Sequence, residues 1–353
     1  MSLSETAESS PAQQTLLRRR ASVSARRRAL GLVAASGALL VTIALSVMVG
    51  SHQLSPVDIW HALGSDGSTA NAQIVLELRI PRTVAGLVVG VGLGVAGAVI
   101  QALTRNPLGD PGILGVDAGA ALFVAVGVVL GAATPAQYLP FALFGAFIVT
   151  VLVALIGGAG RGAADPAQLT LAGVALSAVL TGIVTAMMLL DPITFNKLRG
   201  WNAGSFVERG YDVILPAAPF VAAGVVLALV SARSLNTMGL GDDLATSLGA
   251  HVMRTRAFSV IAVTLLAGGA TAIAGPIAFV GLMVPHIARW IVGPDQRLIL
   301  PYSMVIAPAV LLLSDVIGRV ILWPSEVPVG IVTAFVGAPV LIALVRRSKA
   351  SAL

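Results

Sequence analysis

The chain is 353 residues long, 57% hydrophobic and only 11% charged, with a net charge of +6 and no cysteine. A water-soluble domain carries about 25% charged residues, so this composition excludes a soluble fold and makes lipid the main solvent. The missing cysteine excludes a disulfide framework, a thiolate catalyst and a cysteine metal site, and the positive balance fits Lys and Arg gathered in cytoplasmic loops rather than a nucleic-acid surface.

Residues 1–28 are Ser-, Ala- and Arg-rich, with basic clusters at Arg18 to Arg20 and Arg26 to Arg28. They are expected to form a disordered basic tail against an anionic leaflet. No cleavage site follows, so the next apolar run stays as a first span. A spanning helix needs about 20 apolar residues, and uncharged stretches of that kind recur along the chain. Ala29 to Gly50 is the first and Thr83 to Thr104 the second. Ala118 to Gly160 is too long for one helix and is divided by Pro135 and Pro140 into the third and fourth, with Asp117 near the start of the third. Pro166 to Leu190 is the fifth and Val213 to Ala232 the sixth. The run from Ala257 to Ala288 is divided at Gly275-Pro276, where proline withholds a helical donor, into the seventh and eighth. Leu298 to Ser314 continues into the ninth and Val327 to Val345 is the tenth. The expectation is an all-α polytopic protein of ten spans over 29–347, with 348–353 as a tail and a partial helix over Trp201 to Phe206 as the likeliest eleventh element.

With the N-terminus in the cytoplasm, sixteen of the 22 Lys and Arg fall on the cytoplasmic side. The outer six are Arg79, Arg82, Lys197, Arg199, Arg209 and Arg319. The reversed orientation breaks the positive-inside rule, so both termini are predicted inside.

Several functions lack their residues. A phosphate-cradling loop needs a Gly-Lys pair, and the only lysines follow Asn196 and Ser348. Carboxylates deep in the membrane, which an ion-coupled carrier uses, are confined to Asp315, and Arg319 four residues on predicts a local ion pair. Gly92-Leu-Gly94-Val-Ala-Gly97 matches the dinucleotide pattern but lies within an uncharged span with no preceding strand. Gly86, Gly90 and Gly94, four apart, read instead as a small-residue stripe for close helix packing. His286 has neither a second His nor a Cys near it and reads as a packed or interfacial residue.

Three segments carry function. One is Leu78-Arg79-Ile80-Pro81-Arg82, leading through Gln101 to the turn Asn106-Pro-Leu-Gly-Asp-Pro-Gly112. There Pro107 and Pro111 are expected to end the second span and Gly112 to admit the third. That turn reads equally as plain structure or as a contact with a coupled partner. The second is the inner loop around Gly241-Asp242-Asp243-Leu244 and Ser247-Leu248-Gly249. Its carboxylates favour a helix start, Gly249 a left-handed stop, and Leu244 with Leu248 an apolar ridge suited to a partner's groove. A helix lying on the membrane surface is the plainer alternative. The third runs from Ala274-Gly-Pro through Val284-Pro-His286 to Arg289, followed by Val327-Pro-Val-Gly330 and Gly337-Ala-Pro339.

Together, over residues 55–347, these motifs resemble the FecCD, or vitamin B12-permease-like, family: permease subunits of binding-protein-dependent ABC importers of the type II fold. The resemblance implies a coupling helix at about 241–250 that receives the motion of an ATPase, with ATP and Mg held by that partner and no cofactor on this chain. It implies two ATP-binding subunits, a second permease subunit (a sister heterodimer slightly favoured over a homodimer) and an extracytoplasmic binding protein whose acidic residues meet Arg79, Arg82 and Arg319. Arg suits that role because its planar fork takes a carboxylate bidentately; snorkelling with local pairing of Arg79 to Glu77 and of Arg319 to Asp315 is the alternative. The implied cargo is a ferric siderophore, with vitamin B12 or haem open, and the implied place is the bacterial cytoplasmic membrane. The rival outside the family is a secondary carrier driven by an ion gradient. Lys197, Arg199 and Arg209 receive no role.

Overall fold

In lipid, backbone N–H and C=O groups must be paired by the protein itself, which long uncharged apolar runs of about 20 residues do as helices. A computed structural model describes residues 11–50, 52, 54–65, 67–157 and 166–350, and no strand occurs among them. The helices are α1 (Pro11–Met48), α2 (Pro56–Leu63), α3 (Ala70–Gln73), α4 (Ile80–Thr104), α5 (Val116–Val129), α6 (Pro135–Gly157) and α7 (Pro166–Leu190). There follow α8 (Pro192–Asn202), α9 (Tyr211–Met238), α10 (Asp242–Ser247), α11 (Val252–Ala274), α12 (Val280–Val292), α13 (Gln296–Ile321) and α14 (Val329–Ala350). A π-helical stretch, Ile74–Arg79, fuses α3 to α4. Among the described residues seven helices are long and apolar enough to cross a membrane, and three shorter apolar helices, Val116–Val129, Val280–Val292 and Val329–Ala343, stand at the places of the third, eighth and tenth expected spans.

Several boundaries differ from expectation. The tail over 1–28 is not unstructured as far as it is described: α1 begins at Pro11, because Ala12, Gln13, Gln14, Leu16, Leu17 and the arginines are all strong helix formers. Residues 1–10 lie outside the described part, as do 351–353 of the expected C-terminal tail, whose first residues, 348–350, continue α14. Pro140 does not break the chain. It sits inside α6 near its start, and the interruption is at 130–134, where Gly131 adopts φ +99°. The partial helix is Pro192–Asn202, which starts upstream of the expected Trp201–Phe206 and shares only Trp201 and Asn202 with it, because Asp191 caps it by accepting from the Ile193 and Thr194 amides and Pro192 occupies its first turn. At the far end of α4, Arg105 in the left-handed region (φ 50°) ends the helix before Pro107, and α5 opens after Gly115 (φ 74°) rather than Gly112, with a 3-10 turn, Pro111–Leu114, between them.

α4 and α11 are the most enclosed spans, whereas α1 and α7 bury little of themselves. α4 is central because its glycines let α13 approach. A Cβ on Gly86 would lie 2.6 Å from Leu312 Cδ2, one on Gly90 2.5 Å from Pro308 Cα, and one on Gly94 2.5 Å from Ala307 Cβ. The stripe therefore faces a single partner helix, as small-residue packing requires. Gly90→Val is expected to lower the thermal midpoint of the purified protein, since overpacking against backbone costs about 1–3 kcal/mol. Gly182→Val, where nothing lies within 4 Å, is the control, and equal midpoints for the two variants would refute the packing role.

The break at Gly275-Pro276 falls where expected. α12 has 13 residues and rises only about 20 Å, less than the roughly 30 Å of hydrocarbon, so the connector before it lies at membrane depth. Its ends are paired within the flanking helices, the Gly275 amide donating to the Thr271 carbonyl at 2.7 Å and the Phe279 carbonyl accepting from the Met283 amide at 2.8 Å, and segments beside it pair with one another. The Ser205 amide donates to the Ala274 carbonyl at 2.8 Å, and the Gly330 amide donates to the Gly204 carbonyl at 3.0 Å.

Candidate functional site

Two polar clusters sit at the two ends of α4. At its start, the π-helical stretch swings Arg79 under the end of α1. Its guanidinium donates to the carbonyls of Val47 and Met48, both at 2.8 Å, and to that of His52. The last carbonyls of a helix have no intrahelical donor, so Arg79 acts as a C-terminal cap, and it is 5% exposed. Glu77, the partner that the local-pairing alternative gave it, is not the one it takes. Thr83 donates its hydroxyl to the Arg79 carbonyl (2.8 Å) and shares a 2.8 Å hydrogen bond with Ser46.

Asp315, fully buried on α13, is gripped from two sides. Arg82 brings Nη2 to Oδ1 at 2.7 Å and Nε to Oδ2 at 3.0 Å. Arg319, four residues along α13, brings Nε to Oδ2 at 3.0 Å and also donates to the Ser46 and Val49 carbonyls at 2.6 and 2.9 Å. The Arg319–Asp315 pair predicted by spacing is thus present. Arg82 Nη1 reaches Glu326 at 2.6 Å, just before α14. Three guanidinium charges against two carboxylates leave the cluster with one net positive charge. The three arginines expected to face a partner are brought together, but Arg79 and Arg319 point inward. Of the three, only Arg82 meets a partly exposed partner, Glu326.

At the other end of α4, Arg105 donates Nε to the Met238 carbonyl at 2.9 Å and pairs with Asp242 of α10. Arg256, in the first turns of α11, pairs with the other Asp242 oxygen through Nη2 at 2.5 Å. Asp242 therefore clasps the short helix to two spans at once, beyond the helix-dipole role its position suggested. Gly241 (φ 108°) and Gly249 (φ 82°) bracket the segment in conformations that favour glycine. Between them Ala245 is buried, while Leu244 is 49% and Leu248 62% exposed. The leucine ridge, with Leu240 beside it, is open; Ser247 donates its hydroxyl back to the Asp243 carbonyl at 2.9 Å.

Nearby, Gln101 ties α4 to α12: Nε2 donates to the Leu282 carbonyl and Arg289 Nη2 donates to Oε1, both at 3.0 Å. A polar residue closing an apolar span was the signal for this contact, but the partners are some 180 residues away. His286 packs edge-on against Trp290 at 5.3 Å. Lys197 of α8 donates to the Ala133 carbonyl at 2.8 Å, and burial pushes the Arg209 guanidinium, in the loop before α9, below its ordinary value. Among the described residues, no group of three or more His, Asp or Glu is placed to hold a metal.

Residues 38–347 match the family model described as the FecCD transport family. The chain is 47% identical over 311 residues to the ferric enterobactin transport system permease protein FepD of Escherichia coli (strain K12), covering 88% of this chain and 92% of that one. It is 37% identical over 305 residues to the Fe(3+)-citrate import system permease protein YfmD of Bacillus subtilis (strain 168), covering 86% and 91%. Among solved structures it superposes on a chain described as a metal-chelate type ABC transporter in an inward-facing conformation. That match has a TM-score of 0.80 at 26% identity, covering 90% of this chain and 98% of the other.

Proposed function

The chain belongs to the FecCD transport family, membrane permeases of the type II ABC importer fold, and from that premise we propose that it carries ferric siderophores across the cytoplasmic membrane. The observation that carries the importer reading is α10: a six-residue helix held rigidly from inside by Arg105 and Arg256 while its leucine ridge faces out. A surface built that way transmits force from a partner to two spans. The siderophore reading is supported by the enterobactin permease among the relatives.

In this reading the permease does no chemistry and holds no cofactor. Two ATP-binding subunits bind Mg-ATP and dock on α10 of each of two permease subunits, a sister heterodimer being slightly favoured over a homodimer. A binding protein delivers cargo at the arginine side, which is outside, with both termini in the cytoplasm. Alternating access then requires that events at either end of α4 bias one two-state packing. α4 touches both clusters through Arg82 and Arg105, so it is the element positioned to be shared.

Uptake of labelled ferric siderophore, vitamin B12 and haem in a deletion strain carrying this gene and its partners tests the reading. Restored siderophore uptake alone is expected. Restored B12 or haem uptake instead would reassign the cargo within the family, and uptake that survives ATP depletion with the ion gradient intact would replace the importer by a secondary carrier.

A further inference from the structure

A cleft of about 420 Å³ runs between α6 and α11 on the α10 side, lined by Phe147, Thr150, Leu155, Met253, Arg256 and Leu265 among others. Its walls are almost wholly apolar except at one place. Arg256 is 5% exposed, and only its Nη2 is engaged, by Asp242; Nε and Nη1 are buried with no hydrogen-bond partner. Thr150, equally buried, also leaves its hydroxyl without a partner in the same cleft.

A buried cation with two idle donors is costly unless an anion meets it. Asp242 cannot serve alone, because it is shared with Arg105 and so answers two positive charges with one negative. The Nε–H shares its edge with Nη2, which Asp242 holds, so Nη1 is the donor left to take an oxygen of a phosphate. From Met253 to Leu265 the cleft follows α11 for about 18 Å, slightly more than half the roughly 30 Å hydrocarbon core. Its rim residues Phe147, Leu155 and Met253 are exposed apolar side chains on the flanks of spans, so it opens to the bilayer and not along the leucine ridge of α10.

The geometry points to a binding site for one anionic phospholipid, its phosphate on Arg256 and one acyl chain in the α6–α11 cleft. Because Nη2 of the same guanidinium holds Asp242, the lipid fixes the side chain that anchors α10. Occupancy of the cleft and placement of the coupling segment are thereby linked.

The test uses the full-length protein in nanodiscs of palmitoyl-oleoyl phosphatidylglycerol or phosphatidylcholine, released into detergent and examined by native mass spectrometry for retained lipid. Retention of phosphatidylglycerol over phosphatidylcholine is expected. Arg256→Gln is expected to lower it about tenfold, the scale of one charge-assisted hydrogen bond. Ala257→Trp, which fills the cleft and leaves Arg256 in place, should lower it comparably and decides the matter if Arg256→Gln does not fold. Equal retention of the two lipids, or phosphatidylglycerol retention unchanged by Ala257→Trp, overturns the proposal. So does displacement of the lipid by excess inorganic phosphate, which would mark a simple anion site, or by added ATP-binding subunit, which would mark a protein contact.

Discussion

Changing Leu244 and Leu248 together to Asp is expected to abolish co-purification of the ATP-binding subunit and, with it, uptake. Both side chains lie on the open face of α10, so in the free permease they contribute almost nothing to its own packing. What holds the segment is on the other side: buried Ala245, the Arg105 and Arg256 grip on Asp242, and the two bracketing glycines. The double variant should therefore insert and melt like the parent. In a partner's groove the same two side chains are apolar anchors, each worth about 2 kcal/mol or more at the centre of an interface. Losing both costs about 4 kcal/mol, close to a thousandfold in affinity, and Asp adds the penalty of burying a charge. Detergent pull-down of the assembled complex reads this directly. An intact complex with normal ATPase stimulation would show that α10 is a membrane-surface helix and that the ATPase docks elsewhere, whereas loss of the folded permease itself would show that the ridge is structural.

The sequence made this segment readable because everything that shapes α10 is local: two glycines that tolerate positive φ, carboxylates in the first turn, leucines four apart. The same holds for α7, whose bounds at Pro166 and Leu190 coincide with the uncharged run, and for the Gly86, Gly90 and Gly94 stripe, whose period gives the packing face although not the identity of α13. What could not be read is long-range pairing. Arg82 and Asp315 are 233 residues apart and Arg105 and Asp242 137. Nothing within either segment signals that the charges meet, whereas Arg319 and Asp315, one helical turn apart, were visible as a pair. Pro140 shows the converse error: a residue that usually interrupts a helix is tolerated as the sixth residue of α6, which continues past it to Gly157 without the one backbone bond that proline cannot donate. The outer arginines, taken by residue type alone, looked like a surface. In three dimensions two of them, Arg79 and Arg319, close the end of α1, and that distinction depends on where α1 terminates.

Asp315→Asn is expected to be the most damaging single substitution on the arginine side. The change keeps the volume and removes one of the two carboxylates that answer three guanidinium groups, so the net charge of a buried cluster rises from one to two. Arg319 then has no carboxylate within its reach among those it now contacts, and Arg82 retains only Glu326. Removing one partner of a buried ion pair costs about 3–5 kcal/mol, and here the damage spreads, because Arg319 also holds the Ser46 and Val49 carbonyls at the end of α1. A large drop in thermal midpoint and loss of uptake should follow together, and an unchanged midpoint would show that the cluster is solvated and its geometry immaterial. Glu326→Gln separates structure from delivery. Its carboxylate is partly exposed, so water answers part of the lost charge and the midpoint should fall far less than in Asp315→Asn. Yet it occupies the one Arg82 donor that points towards the surface. If a binding protein's acidic residue takes that donor during docking, Glu326 competes with it, and Glu326→Gln tightens the association at low salt. Weaker or unaltered association would remove Arg82 from the docking surface and leave the whole arginine cluster as an internal clamp between α1, α4 and α13.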